Sequence, residues 1–138
     1  MMRYFKLYLV TLAAFFATDM VWLGLAARSL YQQYLGFLMA PSPNWFVAIL
    51  FYLLFTVGLL FFVIVPGLKD NSLKTTLLEA ALFGLITYAT YDLTNLATLK
   101  DWPALLSIVD MSWGTVLSVL VGYISFMAGK RLIQFGNQ

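Results

Sequence analysis

Cysteine and histidine are both absent from this chain of 138 residues. Their absence excludes disulfides, thiol nucleophiles, zinc sites of the Cys/His kind and imidazole acid–base chemistry. Charge is scarce as well. Asp, Glu, Lys and Arg make up 10% of the residues against about 25% in an ordinary soluble domain, and 62% are hydrophobic, so water is not the chain's main solvent. The net charge of +2 comes from basic residues scattered at the ends of apolar runs, which gives no clustered face for nucleic acid. Any chemistry must come from carboxylates, hydroxyls, amides or the backbone.

Long apolar runs are abundant. The first spans residues 7–27 behind a short basic cap with Arg3 and Lys6. About 20 apolar residues at 1.5 Å rise cross a hydrocarbon core of about 30 Å. The run is too long for the h-region of a cleaved signal peptide, and it carries Asp19, so a retained span is expected. Residues 29–40 place Leu30, Tyr31, Tyr34, Leu35 and Leu38 on one helical face, which reads either as an extension of that span or as an interfacial amphipathic helix.

Pro41 to Asn44 break the chain and cap a second, chargeless span at 45–65, where the only polar residues are Tyr52 and Thr56 and where Pro66 and Gly67 provide a stop. This span reads as a lipid-facing packing helix. After a polar loop, Thr76 and Glu79 have the spacing of a capping box, placing Glu79 at a helix start near the headgroups. A third span follows at 77–99, then a turn at Asp101 to Pro103, then a fourth span at 104–128 closed by Lys130 and Arg131.

No run alternates as a strand does, and an open sheet cannot satisfy its backbone in lipid. The expected fold is therefore all-α: one membrane domain over 1–138, a polytopic four-transmembrane-helix bundle. Six basic residues (Arg3, Lys6, Lys69, Lys74, Lys130, Arg131) fall on one side and two (Arg28, Lys100) on the other, which puts both termini in the cytoplasm.

Three aspartates interrupt these runs: Asp19, Asp92 and Asp110. Counting from the span ends, all three lie roughly 10 Å beneath the outer surface, so they can meet. Tyr88, Tyr91, Asp92, Asn95 and Thr98 form one polar stripe on the third span. Asp19 is followed one turn later by Trp22, and Asp110 by Trp113. The remaining polar pattern is small: Gly114, Ser118 and Gly122 recur every four residues, which favours close helix packing.

Each acid costs at least about 2.5–3.5 kcal/mol at mid-span, and no Lys or Arg sits within a span to neutralise it. Either some aspartates are protonated at neutral pH, or a cation or water-filled cavity lies among them. Should a metal be held, Asp19, Asp92 and Asp110 are its ligands. The bland alternative is interhelical hydrogen bonding as structural glue.

The run Tyr91, Asp92, Leu93, Thr94, Asn95, Leu96, Ala97, Thr98, Leu99, with Trp102 and Pro103, and the run Asp110, Met111, Ser112, Trp113, Gly114, Thr115 resemble the bacterial membrane proteins of domain-of-unknown-function family 2177. The similarity extends over nearly the whole chain, including Asp19 and Trp22. It implies a four-span protein of the bacterial inner membrane and brings no activity with it.

The leading expectation is a site that binds or translocates protons or cations, as a transporter or channel does. Asp19, Asp92, Asn95, Asp110, Trp22, Tyr88, Tyr91, Thr94 and Trp113 are its candidate residues. Four spans give little room for a pathway, so a homodimer or larger assembly is expected, with the lipid bilayer as surroundings and a proton, cation or small amphiphile as ligand. No cofactor is expected; retinal in particular needs a mid-span lysine. The alternatives are an enzyme acting on a lipid or isoprenoid, in which paired carboxylates serve as acid and base, and a non-catalytic partner or sensor protein.

Overall fold

The computed structural model describes residues 1–133, which form four long helices and, among the described residues, no strand. Helix α1 runs Met2–Leu35, α2 Trp45–Lys69, α3 Leu73–Thr98 and α4 Ala104–Leu132. Helices α1, α2 and α4 are long and apolar enough to cross a membrane. The 26 residues of α3 are also long enough, at about 39 Å by helical rise, but Lys74, Glu79, Asp92 and several hydroxyls lower its hydropathy. The most polar helix is thus the one that carries the acid stripe.

Two helices contain a wider π-helical stretch. In α2 it covers Leu60–Ile64, and Pro66 and Gly67 lie inside the helix that continues to Lys69. The sequence-based stop at Pro66 is therefore displaced by one turn. A proline ring crowds the preceding turn and removes one donor, and a looser turn immediately upstream accommodates both. In α1 the wide stretch is Leu23–Ala27, after which the helix continues through Arg28–Leu35. Leu35 is buried against Trp102 and Leu106, which ties the end of α1 to the turn between α3 and α4.

The start of α3 differs from the capping-box expectation. Ser72 is its N-cap, accepting from the Thr75 N–H at 3.3 Å. Thr76 is buried one turn into the helix and donates to the Ser72 carbonyl at 2.8 Å, and Glu79 lies half-buried further along. Ser72 is the first hydroxyl after the Asp70–Asn71 turn, where Asn71 takes a left-handed φ of 48°, and so reaches the free amides before Thr76 does.

Helix α4 is central, packed against α3 along its length and against α1, while α2 lies beside α1. Its small residues make the close approach possible. A Cβ on Gly114 would enter the Tyr88 ring, one on Gly84 would strike the Gly114 carbonyl, and one on Gly122 would meet Ala80 at 3.0 Å. With lipid tails outside as apolar as the side chains inside, such packing is what holds membrane helices together. One half of the bundle is filled by Leu7, Phe15, Leu59, Ile64, Leu117 and Val121. The outer surface is an apolar girdle that includes Leu25, Phe46, Leu54, Phe61, Leu82 and Ile108, all well exposed.

Candidate functional site

The other half of the bundle holds a cavity of about 310 Å³. Two carboxylates line it, Asp19 from α1 and Asp110 from α4. Both side chains are almost fully buried, at 7% and 6% exposure. Around them stand Trp22, Trp113, Tyr31, Tyr88 and Tyr91, with Phe51 and Phe55 of α2. Among the described residues, no lysine or arginine lines the cavity.

Asp19 is held from two helices. The Tyr52 hydroxyl donates to Oδ2 at 2.6 Å, and the Trp113 indole N–H donates to Oδ1 at 3.1 Å. Trp113 also stacks on Trp22, with ring centroids 4.6 Å apart and planes 9° from parallel. An acid and an indole one turn apart on α1 thereby meet the indole of α4. The Trp22 N–H is buried and has no acceptor.

Asp110 accepts a hydrogen bond from the Tyr31 hydroxyl. A straight α-helix would place Tyr31 about 120° around the axis from Asp19, twelve residues earlier. The π-helical stretch between them absorbs roughly one residue of rotation and returns Tyr31 to nearly the Asp19 face. The wide turn of α1 is thus what delivers Tyr31 to α4.

Asp92 is fully buried, with 0% exposure, and lies behind the cavity rather than on its wall. Neither of its carboxyl oxygens receives an N–H or O–H. The polar groups it faces are the Asp110 carboxyl and the Ser107 side chain. Two carboxylates offer only acceptors to each other, so the pair closes a hydrogen bond when one of them carries a proton. Nearby, Trp102 donates to Ser107 Oγ at 2.9 Å, and Ser107 Oγ reaches the Asp92 carbonyl at 3.5 Å, which fixes the turn over the pair.

Among the candidate residues, Asp19, Trp22, Tyr88, Tyr91, Asp110 and Trp113 share the cavity, and Asp92 adjoins it through Asp110. Tyr88 is within electrostatic reach of all three acids. Tyr91 also sets its ring edge-on to Trp102, with centroids 5.6 Å apart. Thr94 is elsewhere: it is exposed, and its hydroxyl bonds the Thr90 carbonyl of its own helix. Asn95 is half-buried one turn beyond Asp92, off the cavity wall. Among the described residues, no three acidic side chains are grouped so as to hold a metal ion.

Tyr31 and Tyr52 were not among the candidates, yet each bonds one of the aspartates. Tyr52 did carry a signal, as one of two polar residues in an otherwise apolar span. Tyr31 carried none, because its face depends on the π-helical stretch.

Three apolar helices of spanning length, an apolar outer surface and buried acids in a cavity define an integral membrane protein. The chain belongs to the family described as predicted membrane protein (DUF2177), whose model matches residues 4–127. No match to it is found among curated proteins or among solved structures.

Proposed function

We propose that the protein binds and exchanges a proton or cation at the cavity lined by Asp19 and Asp110 and backed by Asp92, as a transporter or channel does. One observation carries the reading: Asp92, fully buried and without a donor, faces Asp110, and Asp110 opens on the cavity. A carboxyl pair that needs one proton to close its hydrogen bond can give up that proton when a positive charge arrives beside it. The absence of Lys and Arg from the wall supports a positive ligand over a phosphate or carboxylate.

In this proposal the whole chain acts as one membrane domain. Its termini lie in the cytoplasm of a bacterium and the cavity lies toward the outer face of the inner membrane, following the basic residues. A homodimer or larger assembly supplies the rest of the pathway. The experiment is proton and cation flux into liposomes containing the purified protein. Asp19→Asn, Asp92→Asn and Asp110→Asn should each abolish it. Equal flux in all three variants and the native protein would remove the proposal.

A further inference from the structure

Resting on the same site, we infer that its ligand is a small organic monocation with an apolar body, an aryl- or alkylammonium, rather than an alkali or divalent metal ion. Size is the first reason. About 310 Å³ lies at the lower end of the range of small-molecule pockets, about 300–1,000 Å³, and is far more than one bare ion occupies.

Ligand chemistry is the second. A hard cation takes six or more oxygens in Ca²⁺ or Mg²⁺ sites. Here the wall offers two carboxylates, and both oxygens of Asp19 already accept from Tyr52 and Trp113. A carboxylate whose two oxygens are both engaged has little freedom to wrap around a compact cation. No cluster of three acids exists among the described residues to complete a metal shell.

The third reason is the remainder of the wall. Trp22 and Trp113 form a stacked pair, and Tyr31, Tyr88, Tyr91, Phe51 and Phe55 add five further rings. Aromatic faces attract an ammonium through their quadrupoles and cover its apolar substituents at the same time. Metal ions gain little from such a wall, whereas quaternary ammonium groups are bound by aromatic cages of this kind. Two acids set the sign of the ligand, and the rings set its body.

The test uses benzyltrimethylammonium and its neutral isostere neopentylbenzene on the purified native protein, with binding followed by calorimetry and by quenching of tryptophan fluorescence. The charged compound should bind at least tenfold more tightly than the neutral one, and a hundredfold excess of Na⁺, K⁺ or Mg²⁺ should not displace it. Trp22→Leu should weaken it about tenfold, while Trp22→Phe, which keeps a ring, should lose less than threefold. Equal binding of the two isosteres, displacement by the inorganic ions, or unchanged affinity in a folded Trp22→Leu variant would each overturn the inference. Should Trp22→Leu not fold, the comparison of isosteres on the native protein decides the matter. Aspartate-dependent proton flux without benzyltrimethylammonium binding would overturn this inference and leave the proposed function standing; loss of both would remove the two together.

Discussion

The indole of Trp113 donates to Oδ1 of Asp19 at 3.1 Å, joining residues separated by 94 positions in the chain. Replacing Trp113 with Phe keeps an aromatic ring against Trp22, and removes the donor together with part of the stacked area. Asp19 is 7% exposed, so water replaces that bond poorly. The expected cost is about 1–3 kcal/mol. It is measured by denaturant unfolding in detergent micelles, and an unchanged midpoint would show that the bond does not hold α1 to α4.

Tyr31→Phe removes the donor to Asp110 from the far end of α1. The two residues should be coupled by about 0.5–3 kcal/mol in a double-mutant cycle with Asp110→Ala, because one bond is lost in either single variant. Additive effects would mean that the contact contributes nothing to stability.

For the acid pair, stability and exchange should separate. Asp92→Asn places a permanent N–H donor opposite Asp110, where the native pair needs a proton to close the same hydrogen bond. Stability should therefore stay within about 1 kcal/mol of native, whereas Asp92→Leu should lose about 1–3 kcal/mol by leaving Asp110 without that partner. Flux should vanish in both. An Asp92→Asn protein that is destabilised as much as Asp92→Leu would contradict the shared-proton pairing.

Two glycines should respond in opposite directions to the same change. In Gly84→Ala the new methyl meets the Gly114 backbone carbonyl, which cannot swing aside. Overpacking of that kind costs typically about 1–3 kcal/mol. In Gly24→Ala the methyl meets nothing within 4 Å, and the better helix propensity of alanine should leave stability unchanged or raise it by up to about 1 kcal/mol. Unfolding midpoints of the two variants check the pair.

Ser72→Ala should destabilise the protein by about 0.5–2 kcal/mol through loss of the N-cap of α3. Glu79→Ala tests the capping box expected at Thr76: Glu79 makes no cap bond, so this change should not reproduce the Ser72 effect. Helix content and unfolding midpoint, measured together, separate the two.

What the sequence by itself determined is the class of the protein. Apolar runs of spanning length, the lack of any strand pattern and the three aspartates led directly to a helical membrane protein, because each rests on a local property: length, period, or the cost of one charge in lipid. The stripe holding Tyr88, Tyr91 and Asp92 was legible for the same reason, since residues three and four apart share a face on any straight helix. The packing stripe of Gly114, Ser118 and Gly122 followed likewise.

Tertiary structure alone decided which donor meets which acid. Tyr52 stands out in its span as one of two polar residues, yet it serves Asp19 only because α2 lies beside α1. Tyr31 reaches Asp110 only because the π-helical stretch at Leu23–Ala27 turns the helix by about one residue, a departure from the 3.6-residue period that composition does not announce. Thr94 shows the converse: it lies beside the acid stripe in sequence, yet its hydroxyl is satisfied by its own helix. Local periodicity fixes the face a residue occupies, whereas a hydrogen bond between helices depends on the neighbour, its register and any break in the period between them.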